Sequence, residues 1–230
     1  MTASGAVRKG IPAAVLWDMD GTLVDTEPYW IASEFALAER HGGSWTHEHA
    51  LRLVGMDLLD SGRYIREHMG IPLAPEEIVE ALLDGVVARV AEHVPWRPGA
   101  VDLLAALRAA DVPCALVTMS YQRFVAPIVG HLPRGTFQAI VTGDMLERGK
   151  PHPEPYLTAA AALGVTASEC LAIEDSTTGA LSAEAAGCSV LVVPNHVAVG
   201  PGPRRIFRES LVDATVDDLC VLCQQLADAR

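Results

Sequence analysis

The chain is short of basic residues: 17 Lys and Arg face 29 Asp and Glu, a formal net charge of −12 over 230 residues. That balance argues against nucleic acid or an anionic membrane surface as the main partner, although a few local cations would still hold one phosphate group. An even set of cysteines is also missing. Cys114, Cys170, Cys188, Cys220 and Cys223 make an odd number, three of them in or beside apolar runs, so free buried thiols are expected. Cys220 and Cys223 form a lone CxxC without the second pair a zinc site needs. No stretch reaches about 18 apolar residues without charge, so no transmembrane helix is expected. The apolar run after Arg8 and Lys9 is too short for a secretory signal. Internal repeats and low-complexity tracts are absent as well. What remains is a chain that is half apolar, long enough for a core domain with a smaller insertion, and expected in the cytoplasm.

The most informative stretch is Asp18-Met19-Asp20-Gly21-Thr22, directly after the apolar run Ala13-Ala14-Val15-Leu16-Trp17. Two carboxylates two residues apart, at the carboxyl end of a buried strand and followed by glycine, are hard to justify as packing. An α/β sheet binds its ligands at the carboxyl ends of its strands. A paired-acid cluster there can hold a cation, and the cation can hold a phosphate.

Residues 13–18 read as a fully buried strand. From about 26 to 96 the periodicity turns helical, with no convincing strand. A first helix begins near Tyr29 and ends at His41-Gly42-Gly43, a second spans 61–68, and a third opens on Pro75-Glu76-Glu77 and runs to about Glu92. Strand and helix then alternate. Helices are predicted over 101–110, 122–129, 155–163 and 177–186, and strands over 114–118, 139–142, 170–174 and 189–193. Ala214-Thr215-Val216 reads as a last edge strand, with a helix from about Asp217. Continuous apolar runs between helices predict an α/β fold, a doubly wound parallel sheet. Its core domain is residues 1–25 and 97–230, interrupted by an all-α domain of residues 26–96. Residues 25–96 carry thirteen acids against five bases, a solvated helical surface that holds most of the excess charge.

In a parallel sheet the strand ends point one way and share one crevice. Asp18 ends the first predicted strand and Thr118 the second. Lys150 follows the third, within Gly149-Lys150-Pro151-His152-Pro153, and Glu174-Asp175 ends the fourth. With Asp18-Met19-Asp20-Gly21-Thr22-Leu23-Val24-Asp25-Thr26-Glu27, Thr118, Gly149-Lys150-Pro151 and Glu174-Asp175-Ser176 in this order, the chain resembles the haloacid dehalogenase superfamily. Within it, the chain is similar to the β-phosphoglucomutase-like phosphatases that carry a helical cap. The resemblance implies a Rossmann-like core and a Mg²⁺-dependent phosphatase. Its substrate would be a small phosphomonoester, a sugar phosphate in class, cleaved through an aspartyl-phosphate.

By that resemblance Asp18 is the nucleophile and a metal ligand, where the ordinary reason for an Asp would be a helix N-cap. Asp20 is the general acid and base, with its backbone carbonyl on the metal, where a turn-stabilising Asp before Gly21 is the alternative. Lys150 pairs with the nucleophile and a phosphate oxygen; a lone lysine is otherwise a solvated charge. Thr118 donates to the phosphoryl group or caps the next helix, and Ser120 assists it. Asp175 is a side-chain metal ligand and Glu174 a direct or water-mediated one, and Mg²⁺ suits such an all-oxygen site. Ser176 reads equally as cap or ligand. His152 reads as a neighbour of Lys150 outside the site. His47-Glu48-His49 lacks a third ligand and reads as a solvated face, and Trp30, Trp45 and Trp96 read as helical core.

The insertion resembles a mobile cap hinged near Asp25-Thr26 and Pro95–Gly99, with Gly55-Met56-Asp57 facing the site. A phosphosugar mutase would need cap cations for a second phosphate. Residues 53–58 contain no Lys or Arg, and Trp30 stands where a histidine would be expected. Hydrolysis is therefore preferred to transfer. A non-catalytic binding or regulatory domain is the remaining alternative, and it is disfavoured because every catalytic position is filled. The expected partner is a small phosphorylated metabolite, with neither nucleic acid nor membrane, for a monomer or weak homodimer.

Overall fold

The computed structural model describes residues 11–228; Arg8 and Lys9, and with them the signal-peptide reading, lie outside the described residues. Six strands make one sheet: β1 (Val15–Trp17), β2 (Cys114–Val117), β3 (Ala139–Val141), β4 (Leu171–Glu174), β5 (Ser189–Val192) and β6 (Arg205–Phe207). Their spatial order is β3-β2-β1-β4-β5-β6 and every pairing is parallel. Trp17 lies opposite Leu116 on one side and Ile173 on the other. One residue further on, Asp18 therefore stands level with Val117 and Glu174.

The central strands are buried on both faces, which is why they read as unbroken apolar runs. One face presents Leu16, Ala115, Val117, Ala172, Val190 and Val192 to α7 (Glu154–Leu163) and α8 (Thr177–Ala186). Those two helices answer with Ala159, Ala160, Ala180 and Ala183, small residues that let them lie close to the sheet. The other face presents Val15, Trp17, Leu116, Leu171, Ile173 and Leu191. It is covered by α5 (Ala100–Ala109), α6 (Gln122–Val129) and α9 (Val216–Asp228) through Leu103, Leu107, Phe124, Ile128 and Leu219.

Four helices intervene between β1 and α5: α1 (Glu27–His41), α2 (His47–Arg52), α3 (Leu58–Met69) and α4 (Pro75–Glu92). Leu37, Ile65, Ile78, Leu82 and Val86 join them into an apolar cluster continuous with the sheet's second face. Gly42 and Gly70 end α1 and α3 in the left-handed conformation, as the sequence reading expects. The chain leaves and re-enters the sheet at adjacent points. Val24 bridges Trp96, Asp25 N–H donates to the Pro95 carbonyl at 2.8 Å, and Arg97 N–H donates to the Leu23 carbonyl at 2.9 Å. Trp30 of α1 packs edge-on against Phe124 of α6, with ring centroids 5.3 Å apart.

Two elements differ from the sequence reading. The last edge strand is Arg205–Phe207, not 214–216. Thr215 instead opens α9 through a reciprocal cap: its Oγ1 accepts from Asp218 N–H at 3.1 Å, while Thr215 N–H donates to the Asp218 carboxylate at 2.9 Å. β6 has no apolar run of its own because only one side of it is paired. Arg204 and Arg205 tether it to Glu184 on α8. α2 was absent from the reading because its six residues are largely polar; Thr46 Oγ1 caps it. Among the described residues no helix is long and apolar enough to cross a membrane.

Candidate active site

Lys150 is the hub of the crevice. Its side chain is nearly fully buried, and its ammonium donates to Asp18 Oδ1 at 2.6 Å, Glu174 Oε1 at 2.7 Å and the Val117 carbonyl at 3.0 Å. All three of its protons are thus spoken for by the ends of β1, β2 and β4. Burial pushes the ammonium down, but Asp18 and Glu174 together outweigh it, so Lys150 is held above its ordinary range and stays charged. The Lys150–Pro151 peptide bond is cis.

Asp18, Glu174 and Asp175 form a buried cluster whose carboxylate oxygens lie within 4.8 Å of one another. One ammonium against three carboxylates leaves two negative charges uncompensated. The cluster therefore holds protons tightly: burial first, then Glu174, pushes the Asp18 carboxyl up to about 7 against the pull of Lys150. Burial, then Asp18 and Glu174, raises Asp175 well above the ordinary carboxylate range. Asp18 Oδ2 is buried and has no hydrogen-bond partner among the described residues. That orphaned oxygen and the charge deficit both fit a divalent cation. Gly21 makes the approach possible. Its φ is +88°, and a Cβ there would sit 1.9 Å from Asp175 Oδ2. A Cβ at Gly179 would likewise strike Glu174 Oε1, at 1.8 Å.

Asp20 faces away from that cluster toward the seam with α1. Its Oδ1 accepts from Thr26 Oγ1 at 2.5 Å and Trp30 Nε1 at 3.4 Å; its Oδ2 accepts from Ser120 Oγ at 2.8 Å and Thr118 Oγ1 at 3.2 Å. The Asp20 carboxyl lies outside the three-carboxylate group, and the ligand expected from this residue is its backbone carbonyl. The Thr118 hydroxyl, expected to donate to a phosphoryl oxygen, here donates to Asp20 and accepts from Ser120 N–H at 3.0 Å.

Glu174 carries four donors on two oxygens. Besides Lys150, Tyr156 Oη donates to Oε1 at 2.6 Å, and the Ser176 hydroxyl and N–H donate to Oε2 at 3.1 and 3.4 Å. Such a carboxylate is a holder of Lys150 before it is a ligand. Ser176 also caps α8, accepting from Gly179 N–H at 3.0 Å. The His152 ring accepts from Glu154 N–H and does not line the crevice.

Sequence reasoning passed over Tyr156, took Trp30 for core and counted Glu27 and Glu34 as surface acid. Tyr156 and Trp30 offered one signal: a phenol or an indole N–H on a buried helix face needs a polar partner. The pocket is lined below by Asp18, Asp20, Thr118, Lys150, Asp175 and Ser176, and above by Glu27, Trp30, Glu34, Leu53–Met56, Leu58, Ser61 and Leu82. Gly55 and Met56 face it as expected, but Asp57 does not line it. The Asp57 carboxylate caps α3 by accepting from Leu59 and Asp60 N–H at 2.8 and 3.3 Å, as its position just before the helix favours. His47 and His49 open α2, and His49 Nδ1 meets the Tyr64 hydroxyl at 2.8 Å; neither histidine belongs to the three-carboxylate cluster. All five cysteines are free.

Comparison with known proteins gives relatives over most of the chain. Hexitol phosphatase A of Escherichia coli strain K12 is 34% identical over 188 residues, 77% of this chain and 81% of the relative. Phosphoglycolate phosphatase of Salmonella typhi is 32% identical over 200 residues, 76% of this chain and 78% of the relative. Among solved structures, CbbY of Rhodobacter sphaeroides in complex with phosphate superposes with a TM-score of 0.81 at 27% identity, covering 91% of this chain and 99% of that one. β-Phosphoglucomutase of Clostridium difficile shares the fold, with a TM-score of 0.82 at 19% identity over 95% of this chain and all of the other. The family model for haloacid dehalogenase-like hydrolases matches residues 15–193, from the first residue of β1 to just past β5, and the chain belongs to that family.

Proposed function

We propose that the protein is a Mg²⁺-dependent phosphatase that releases phosphate from a small hydroxyl-bearing metabolite, a sugar phosphate in class. The observation that carries this reading is the buried, unpartnered Asp18 Oδ2, set beside Asp175 on a pocket whose floor also holds the Lys150 ammonium. The named relatives that are phosphatases of phosphorylated small molecules support it.

In this reading Asp18 attacks phosphorus, the bond from phosphorus to the leaving alcohol breaks, and an aspartyl-phosphate forms. Asp20 gives its proton to the departing alkoxide oxygen and then takes one from the water that releases phosphate from Asp18. Lys150 neutralises charge on a phosphoryl oxygen, and Glu174, braced by Tyr156 and Ser176, keeps the ammonium aimed. Thr118 and Ser120 hold the Asp20 carboxyl from the core side, Thr26 and Trp30 from the α1 side. Asp18, Asp175, the Asp20 backbone carbonyl and Glu174, directly or through water, would hold Mg²⁺, whose charge would keep Asp18 ionised and offset that of the phosphoryl group. Residues 26–96 act as the cap, excluding water from a core made of 1–25 and 97–230. The reading carries with it a cytoplasmic monomer or weak homodimer.

A mutase needs a grip on a second phosphate. The upper lining of the pocket contains no Lys or Arg and two carboxylates, so water is the favoured acceptor. Phosphate release from a panel of phosphomonoesters, with Mg²⁺ and with EDTA, tests the proposal. Metal-dependent turnover is expected. A silent panel overturns it, and faster isomerisation of a hexose 1-phosphate than hydrolysis would install the mutase.

A further inference from the structure

The upper side of the pocket has a polarity of its own. Glu27, Trp30 and Glu34 are three and seven residues apart on α1 and so share one helix face, which lines the pocket. Glu34 is only 2% exposed, in a wall that includes Leu53, Leu58 and Leu82. Its Oε2 accepts from Trp45 Nε1 at 2.8 Å in a buried bond. Its Oε1 has no hydrogen-bond partner among the described residues. That oxygen is not among the buried unpartnered atoms and Glu34 lines the pocket, so one carboxyl oxygen is fixed while the other is open to a ligand. Burial pushes the carboxyl up to about 7, the Trp45 bond opposing, so near neutrality it meets a hydroxyl either as donor or as acceptor. Glu27 adds a second carboxyl nearby, pushed up to about 8 by burial and then by Glu34.

We propose that Glu34, oriented by Trp45, is a specificity residue that binds a hydroxyl of the leaving alcohol and repels a leaving group bearing a second anion. The inference rests on the phosphatase reading and sharpens it to neutral, hydroxyl-rich alcohols. Among the described residues Lys150 is the only basic side chain lining the pocket, and it is engaged on the floor. A second phosphate under α1 would therefore have no cation to receive it and would be opposed by Glu34 whenever that carboxyl is ionised.

The test compares kcat/KM for sorbitol 6-phosphate, ethyl phosphate and fructose 1,6-bisphosphate in the wild type, Glu34→Gln and Trp45→Phe. The wild type is expected to favour sorbitol 6-phosphate over each of the others by about tenfold or more. Glu34→Gln should shrink the preference over the bisphosphate by about tenfold, chiefly through KM, and Trp45→Phe should shrink the preference over ethyl phosphate. If circular dichroism shows that Glu34→Gln does not fold, Glu34→Asp keeps the charge while withdrawing the reach. It should lose the hydroxyl preference yet still reject the bisphosphate. An equal change on all three esters means that Glu34 serves only to satisfy Trp45, and overturns the inference with hydrolysis intact. A wild type that prefers glucosamine 6-phosphate to sorbitol 6-phosphate by tenfold overturns it too, since the ligand is then an ammonium. A wild type inert on every ester overturns the phosphatase reading itself.

Discussion

The floor and the roof of the pocket are built on opposite principles. On the floor three residues are fully committed, Lys150 with three acceptors and Glu174 and Asp20 with four donors each, and the free capacity lies at the proposed metal ligands Asp18 and Asp175. On the roof, Glu34 has one partner and the remaining surface is mostly apolar. A saturated network fixes geometry, which phosphoryl chemistry requires, while an unsaturated one leaves bonds for a ligand to complete. The contrast separates what the protein does to a phosphate from which phosphate it accepts.

The largest expected effect breaks the floor alone. Asp18→Asn keeps the side-chain volume and removes the proposed nucleophile, so phosphate release should fall by roughly 10³-fold or more while circular dichroism stays that of the wild type. Retained turnover would move the chemistry off Asp18. The next effect sets roof against solvent. Folding raises the Glu34 carboxyl from 4.5 to about 7, so the native state holds a proton that the unfolded chain has lost. Stability from this group is therefore highest below about pH 4.5 and declines as pH rises through about 7, by on the order of 3 kcal/mol at most. Urea midpoints at pH 5 and pH 8 should drop less for Glu34→Gln than for the wild type; equal drops would mean that Glu34 is solvated. The smallest effect divides neighbours on the roof. Asp57→Ala should cost about 1 kcal/mol through the lost α3 cap and leave substrate preference unchanged. Met56→Ala should shift relative KM values with little change in melting temperature. Exchanged outcomes would reverse the roles assigned to the two residues.

The floor was largely legible from sequence, because its residues sit at the ends of apolar strands and a parallel sheet gathers those ends. The runs 114–117, 171–174 and 189–192 announce themselves, and α6 and α8 have the bounds expected of them. The roof was not legible. Trp45 reaches Glu34 across eleven residues and a turn of the chain, and on the floor Tyr156 of α7 likewise reaches Glu174 at the end of β4. Neither pair leaves a local pattern, because each forms only when packing brings separate parts of the chain together. β6 escaped for a related reason: one strand neighbour supplies its hydrogen bonds, and two arginines hold it to α8 where a core strand would use apolar side chains.

The two crossings between sheet and helices lie side by side, and Thr26 and Trp30 belong to the helical side of them. Any tilt of α1–α4 about that line would carry both donors off Asp20 while Thr118 and Ser120 stayed behind. The carboxyl proposed to handle the proton would be fully braced only with the door shut, so an empty, open enzyme would stand disarmed.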